Sequence, residues 1–491
     1  MSWKSRPSRI HGLALFAGAM FAIGLATIVA LERVGAPGGF VRAIGPVLAL
    51  VGISIIGVGA RNANLASFIA AGRQVPSFYG GLSTVAFAAG VAICLYPDVK
   101  SPFEPPLLGF FVGAALGMIA YGPFFRRFGA TSLADIIATR FSGSPLRLPS
   151  AIIIWMTGAL TALAGFQLAV LAIQTLLPSM RWAAQATVAL VLIFSVTPGG
   201  MAGVVSCAAA SAAALVMIAL VGVLVGWSAG ISLPDLHTLA PASSTVASPT
   251  AFWPTIATIL ATASLFAFAP GAIVSRNVGG AIRAGILALV LCLGLAGLTG
   301  AAFSAFPIGL GSNPSNPVAA SLVGAATLAS VLALSSLGLQ GSSRALGVAL
   351  ADAPKPFRAL TSVRLARMRA VQVIVVVGCA VCDTNGFLDA RTALIFAMAL
   401  SLALTTPLVA LAAVARVGPA AASVAILAAI ALAVFRAAAL KSLPTAADLF
   451  EDALTVAAVA FVVGALTSIV APRRRPAPTP GAFDPFAVDP G

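Results

Sequence analysis

Residues 317–340 read PVAASLVGAATLASVLALSSLGLQ, an apolar run without a charged side chain. As a helix rising about 1.5 Å per residue it would cover about 36 Å, enough to cross a hydrocarbon core roughly 30 Å thick. The run lacks the apolar–polar alternation of a membrane β-barrel strand, and a lone helix satisfies its own backbone in lipid. Runs of this kind recur along the chain. Of its 491 residues 60% are hydrophobic and only 8% charged, with a mean hydropathy of +1.06. That composition cannot supply the polar surface of a soluble protein of this length. The expected fold is an all-α polytopic membrane protein.

Segmentation gives about fourteen transmembrane helices: 12–33, 42–60, 78–97, 105–125, 149–178, 182–199, 201–230, 251–275, 284–306, 317–340, 370–389, 392–415, 418–437 and 453–472. The count falls to thirteen if the first, preceded by the basic MSWKSRPSR, is a cleaved signal rather than a retained anchor. Charge placement tests the segmentation. With a cytoplasmic N-terminus, 21 of the 28 basic residues fall in inside segments, among them Arg73, Arg140, Arg276 and Arg473–Arg475, against four of the 13 acidic ones. This positive-inside asymmetry supports the order of spans and places the C-terminus in the cytoplasm. It also accounts for the net charge of +15 as topology and contact with the lipid bilayer, with no nucleic-acid partner.

Few groups suggest enzyme chemistry. The only histidines are His11 and His237, and Cys379 and Cys382 form an isolated CxxC beside an apolar run. No phosphate loop or metal-ligand cluster occurs, so no catalytic residue, cofactor or resident metal is expected. Asp98, Glu104, Asp135, Asp352, Asp383 and Asp389 all fall in or beside loops on this segmentation. A cation site inside the membrane would therefore be built from carbonyls and hydroxyls. Thr327 and Ser330, one turn apart, share a face of span 317–340, and Ser335 and Ser336 follow; the competing reading is close helix packing by small residues. Pro270–Gly271 interrupts span 251–275, while Gly90 and Pro97 mark span 78–97, five spans earlier. Interrupted spans in corresponding positions of two halves point to a transporter site between broken helices.

Several segments, in order, carry a family resemblance over roughly residues 60–415: ASFIAAGRQVPSFYGGLS, TSLADIIATRFSGSPLRLPSA, AGFQLAVLAIQTLL, TPGGMAGVV, FAPGAIVSR and ATLASVLALSSLGLQGSS. The chain resembles the sodium:solute symporter family, most closely its cation/acetate symporter branch. The resemblance implies a LeuT-like core of five plus five inverted-repeat helices over 61–415, with repeats at about 78–230 and 251–415. Two accessory helices would occupy 1–60 and two more 416–472, ahead of a disordered cytoplasmic tail at 473–491.

The resemblance further implies a cation site of carbonyls near Val85 and Ala88 with the hydroxyls of Thr327 and Ser330. Ser335 and Ser336 are the alternative. A solute site would lie beside Phe87, Gln167, Phe266 and Pro270, where the first and sixth core helices unwind. The sequence departs from the family at TVAFAAGVAI, which has nothing polar after Thr84, so cation binding is expected to be weak. The implied function is cation-coupled import, with sodium as coupling ion, of a small organic solute such as acetate or another monocarboxylate. The alternative is a transporter-like protein without coupling, serving as a uniporter or as a sensory or scaffolding partner. Ala- and Arg-rich, Lys-poor usage points to a bacterial inner membrane.

Overall fold

Helix ends fall where the chain offers a cap, a proline or a glycine. Asn64 accepts from the Ala66 N–H to start α3 (Leu65–Ala70), and Ser132 and Asp135 form a reciprocal capping box at α6 (Leu133–Arg140). Gly72 lies at φ +62, flanked by Ala71 at +51 and Arg73 at +54. Three successive left-handed residues turn the chain sharply before the next long helix, and two of them bear a Cβ, which makes the turn strained.

The computed structural model describes residues 9–61, 64–95, 105–128, 132–141, 146–177, 180–228, 249–265, 270–303, 316–351, 361–414, 417–439 and 446–470. Phe266, Pro97, His237 and the tail at 473–491 lie outside them. Among the described residues the remaining helices are α1 (Arg9–Arg33), α2 (Gly38–Gly59), α4 (Ser77–Leu95), α5 (Pro105–Phe128), α7 (Arg147–Gln174), α8 (Arg181–Val196) and α9 (Gly200–Ser228). They continue with α10 (Pro249–Leu265), α11 (Pro270–Val274), α12 (Val278–Phe303), α13 (Pro317–Ala351), α14 (Thr361–Asn385), α15 (Ala390–Ala413), α16 (Pro419–Ala439) and α17 (Ala446–Val470). Eleven of the helices are long and apolar enough to cross a membrane, and three shorter apolar ones lie at 181–196, 255–265 and 419–433. The protein is thus an all-helical, multi-pass membrane protein.

Several helix ends differ from expectation, among them the starts of α12 at Val278 and α17 at Ala446. The run at 317–340 continues helical to Ala351, carrying Gln340, Ser342, Ser343 and Arg344 inside the protein. The run at 370–389 begins at Thr361. The span at 251–275 is described as two helices, α10 and α11, a break foreseen at Pro270–Gly271. Hydropathy misses the extension to Ala351 because polar side chains shielded by neighbouring helices extend that helix. It misses the start at Thr361 because α14 continues past the apolar run with Ser362 and Arg367 exposed.

Helices α4 and α13 form the centre. In the α4 window 83% of residues are buried, against 11% in α1. α13 packs along α7, α2, α4, α9 and α14. Small residues make this closeness possible: a Cβ on Gly158 would come within 2.7 Å of the Ser342 nitrogen, and one on Gly165 within 2.6 Å of the Ser335 nitrogen. In lipid, where apolar burial gives little drive between helices, such backbone approach is the main source of association.

Candidate cation and solute site

Each hydroxyl on α13 has a different environment. Ser330 donates to the Ala326 carbonyl at 2.8 Å, and Ser336 to Leu332 at 2.7 Å. Ser335 instead crosses to α7, donating to the Ala162 carbonyl at 2.9 Å. Thr327 is 2% exposed, and its Oγ1 has no hydrogen-bond partner. A helical threonine ordinarily donates to the carbonyl a turn back, as Thr262 does to Thr258. Thr327 leaves that carbonyl alone and keeps a buried hydroxyl unspent, which costs about 1–3 kcal/mol.

The faces follow from contacts. Gly90 of α4 sits against α13 where a Cβ would meet the Ser330 carbonyl at 2.7 Å and Leu334 Cβ at 2.9 Å. Gly165 of α7 sits against Val331 and Ser335. At about 100° per residue, Thr327 falls between these two faces, in the seam where α4 and α7 meet α13. The structure therefore puts Ser330 on the α4 side and Thr327 in the seam beside it, assigns Ser335 to α7, and turns the hydroxyls of both Ser330 and Ser336 back on their own helix.

Val85, Phe87 and Ala88 are buried in α4. The unwinding expected there is absent: α4 is helical from Ser77 to Leu95, so the Val85 and Ala88 carbonyls lie within its internal ladder. On the helical wheel Val85 and Ala88 stand about 140° and 160° round from Gly90, away from the Ser330 contact. Gly90, taken from sequence as an interruption, is a packing position. It keeps a helical φ, and its missing Cβ admits α13.

Gln167 donates its Nε2 to the Leu388 carbonyl at 2.7 Å. This bond fixes the amide, and Oε1 is left buried without a partner. Leu388 lies just before Asp389, whose side chain caps α15 by accepting from the Thr392 N–H at 3.1 Å. Burial pushes the Asp389 carboxyl up, but hydrogen bonds from the Thr392 side chain and from nearby backbone N–H groups outweigh it and hold it below the usual aspartate value. The capped α15 start thus positions the carbonyl that orients Gln167.

Pro270 opens α11, the position where its missing N–H costs nothing. Gly271 lets α11 close on α4, since a Cβ there would lie 2.8 Å from the Gly80 carbonyl. Past α11, Ser275 forms a parallel backbone bridge with Val75, which immediately precedes α4. The turn at Gly72, the base of α4 and the end of α11 are thus one connected assembly.

Other polar groups escaped the sequence reading. Gln372 of α14 donates to Gln340 Oε1 at 2.6 Å and to the Ser343 hydroxyl at 3.2 Å, and Gln340 Nε2 donates to the Phe68 carbonyl at 3.1 Å. Asp383, expected beside a loop, is 5% exposed in the last turn of α14 and pairs with Arg181 at 3.0 Å. Gln185 donates to the same carboxylate at 2.6 Å. Arg140 donates to the Ala412 and Val414 carbonyls at 3.1 and 2.7 Å, closing the end of α15. Residues 401–405 of α15 form a π-turn with Ser401 and Thr405 in mutual hydrogen-bond contact. The readable signal was Pro407, which removes an N–H and crowds the carbonyl four residues earlier.

No protein-family model matches the chain, and no characterised protein matches it by sequence. Solved structures match by fold. A substrate-bound, outward-open Na+-coupled sialic acid symporter aligns with a TM-score of 0.66 at 16% identity, covering 90% of this chain and 100% of that one. A mutant of the manganese transporter of Eremococcus coleocola gives 0.46 at 17% identity, over 83% of this chain and 96% of that one. The first likeness shows the fold: this chain shares the helical architecture of that symporter along nearly its whole length.

Proposed function

We propose that the protein is a secondary transporter that imports a small organic solute by alternating access, coupled to a monovalent cation with sodium as the first candidate. The full-length fold likeness to a Na+-coupled symporter carries this reading. The cation site is read as Thr327 and Ser330 on α13, facing α4. Thr327 supports it because a buried hydroxyl with no protein partner is a free oxygen ligand for a hard cation. Carbonyls at Val85 and Ala88 would join only if α4 opened locally on loading. Ser335 is less suited because it is engaged across to α7, while Ser336 bonds its own helix just as Ser330 does and is less suited only by its distance from the Gly90 contact. Phe87, Gln167 and Pro270 are the residues proposed for the solute site, the Gln167 Oε1 accepting from a solute N–H or O–H. Gln167 is anchored toward the Cys94 end of α4 and Pro270 lies by Gly80, about 21 Å along that helix. The proposed core is the five-plus-five assembly over 61–415, in a bacterial inner membrane with the C-terminus cytoplasmic. The solute class proposed is a small organic molecule such as a monocarboxylate.

The unbroken α4 favours a second reading, transport without cation coupling. Uptake of labelled monocarboxylates and other small solutes into proteoliposomes, with and without an inward sodium gradient, separates the two. Symport requires uptake to fall when the gradient is collapsed. Equal uptake under both conditions leaves the uniporter.

A further inference from the structure

Helix α1 lies over two adjoining cavities, of about 110 and 220 Å³, that share Ala17, Phe21, Ala210 and Ala214 in their linings, and we read the two together as one slot. Its walls come from α1, α2, α4, α9 and α13, and they are almost wholly apolar. Along α1 the slot runs from Ala14 to Ile28, about 21 Å at 1.5 Å per residue. This exceeds one leaflet of a hydrocarbon core roughly 30 Å thick.

Polar groups cluster at one end. Ser206 is 7% exposed and lines the slot, yet its hydroxyl has no partner. Nearer the mouth, Tyr79 lines the slot and its hydroxyl bonds His11 Nδ1 at 2.9 Å. A long apolar slot, one unspent hydroxyl within it, and the His11–Tyr79 pair at the mouth match an acyl chain, its ester carbonyl and its phosphate, in that order.

We propose that this slot binds one acyl chain of an anionic glycerophospholipid. The ester carbonyl accepts from Ser206, and the headgroup lies at His11 and Tyr79, on the side to which positively charged loops draw anionic lipid. The lipid fills the space between α1 and the central helices, and it attaches a helix that is otherwise mostly exposed.

Phosphatidylglycerol with a diazirine in its acyl chain, reconstituted with the full-length protein and photolysed, tests this. Adducts should concentrate on α1 and α9 beside the slot, around Met20 and Met217. Ala210→Phe, which fills the slot, should reduce them to the level of outer surfaces such as Leu427. Ser206→Ala keeps the shape and should lower labelling about threefold, one intramembrane hydrogen bond's worth. The same substitution should have no effect with a diether probe, which lacks the carbonyl. Labelling spread evenly over lipid-facing helices overturns the proposal, as does equal labelling by a phosphatidylcholine probe or an unchanged Ser206→Ala with the diester.

Discussion

Thr327 concentrates the functional question in one side chain. As an unpaired buried hydroxyl it weakens the resting fold; as a cation ligand it would contribute only when the site is loaded. Thr327→Val separates these roles. Thermal stability without sodium should stay the same or rise, while the sodium concentration for half-maximal uptake rises about tenfold, close to 1.4 kcal/mol. Unchanged sodium dependence would remove Thr327 from the site. Ser330→Ala should likewise weaken cation dependence with folding intact. The sequence showed that these hydroxyls exist and share a face. Which of them was already committed to a carbonyl depends on rotamers and neighbours, so Thr327 could not be singled out from Ser330, Ser335 and Ser336 before the fold was known. Gln167 was readable as a polar residue in an apolar run, but Leu388, its anchor, lies 221 residues away.

Two helices carry predictions of their own. α4 is held against α13 through Gly90, and Gly90→Ala should destabilise the protein by about 1–3 kcal/mol through overpacking. Gly378→Ala on α14 is the control: nothing lies within 4 Å of the added methyl, so the helix should gain up to about 1 kcal/mol. Melting of the two purified variants distinguishes packing from helix propensity. At α15, Asp389 is held below the ordinary aspartate value, so its cap is fully present above about pH 3.9 and is lost as pH falls through the lower folded value. Asp389→Asn, which keeps a capping oxygen but cannot titrate, should remove that acid sensitivity, read as amide exchange in the first turn of α15, whereas Asp389→Ala should remove the cap and loosen Gln167. Spans were legible because hydropathy tracks lipid exposure. The continuity of α4 was not, because a glycine reads alike whether it breaks a helix or admits a neighbour.

At the scale of the molecule, the all-helical, multi-pass class was written in the spacing of apolar runs. The tertiary links joining distant helices were not. Asp383 with Arg181 and Gln185, Arg140 with the end of α15, and Gln340 with Phe68 are bonds between residues hundreds of positions apart or buried in unexpected helix extensions. The Val75–Ser275 bridge is of another kind, because it joins the base of α4 to the end of α11 through backbone alone. Such a tie is blind to side-chain identity, so an alanine scan across both segments would pass over it. Most side-chain changes at Val75 and Ser275 themselves would leave the bond in place, so the mechanical coupling does not depend on those two side chains. Hydrogen exchange at the amides flanking Val75 and Ser275, measured with and without the transported solute, would report whether the tie opens during the cycle.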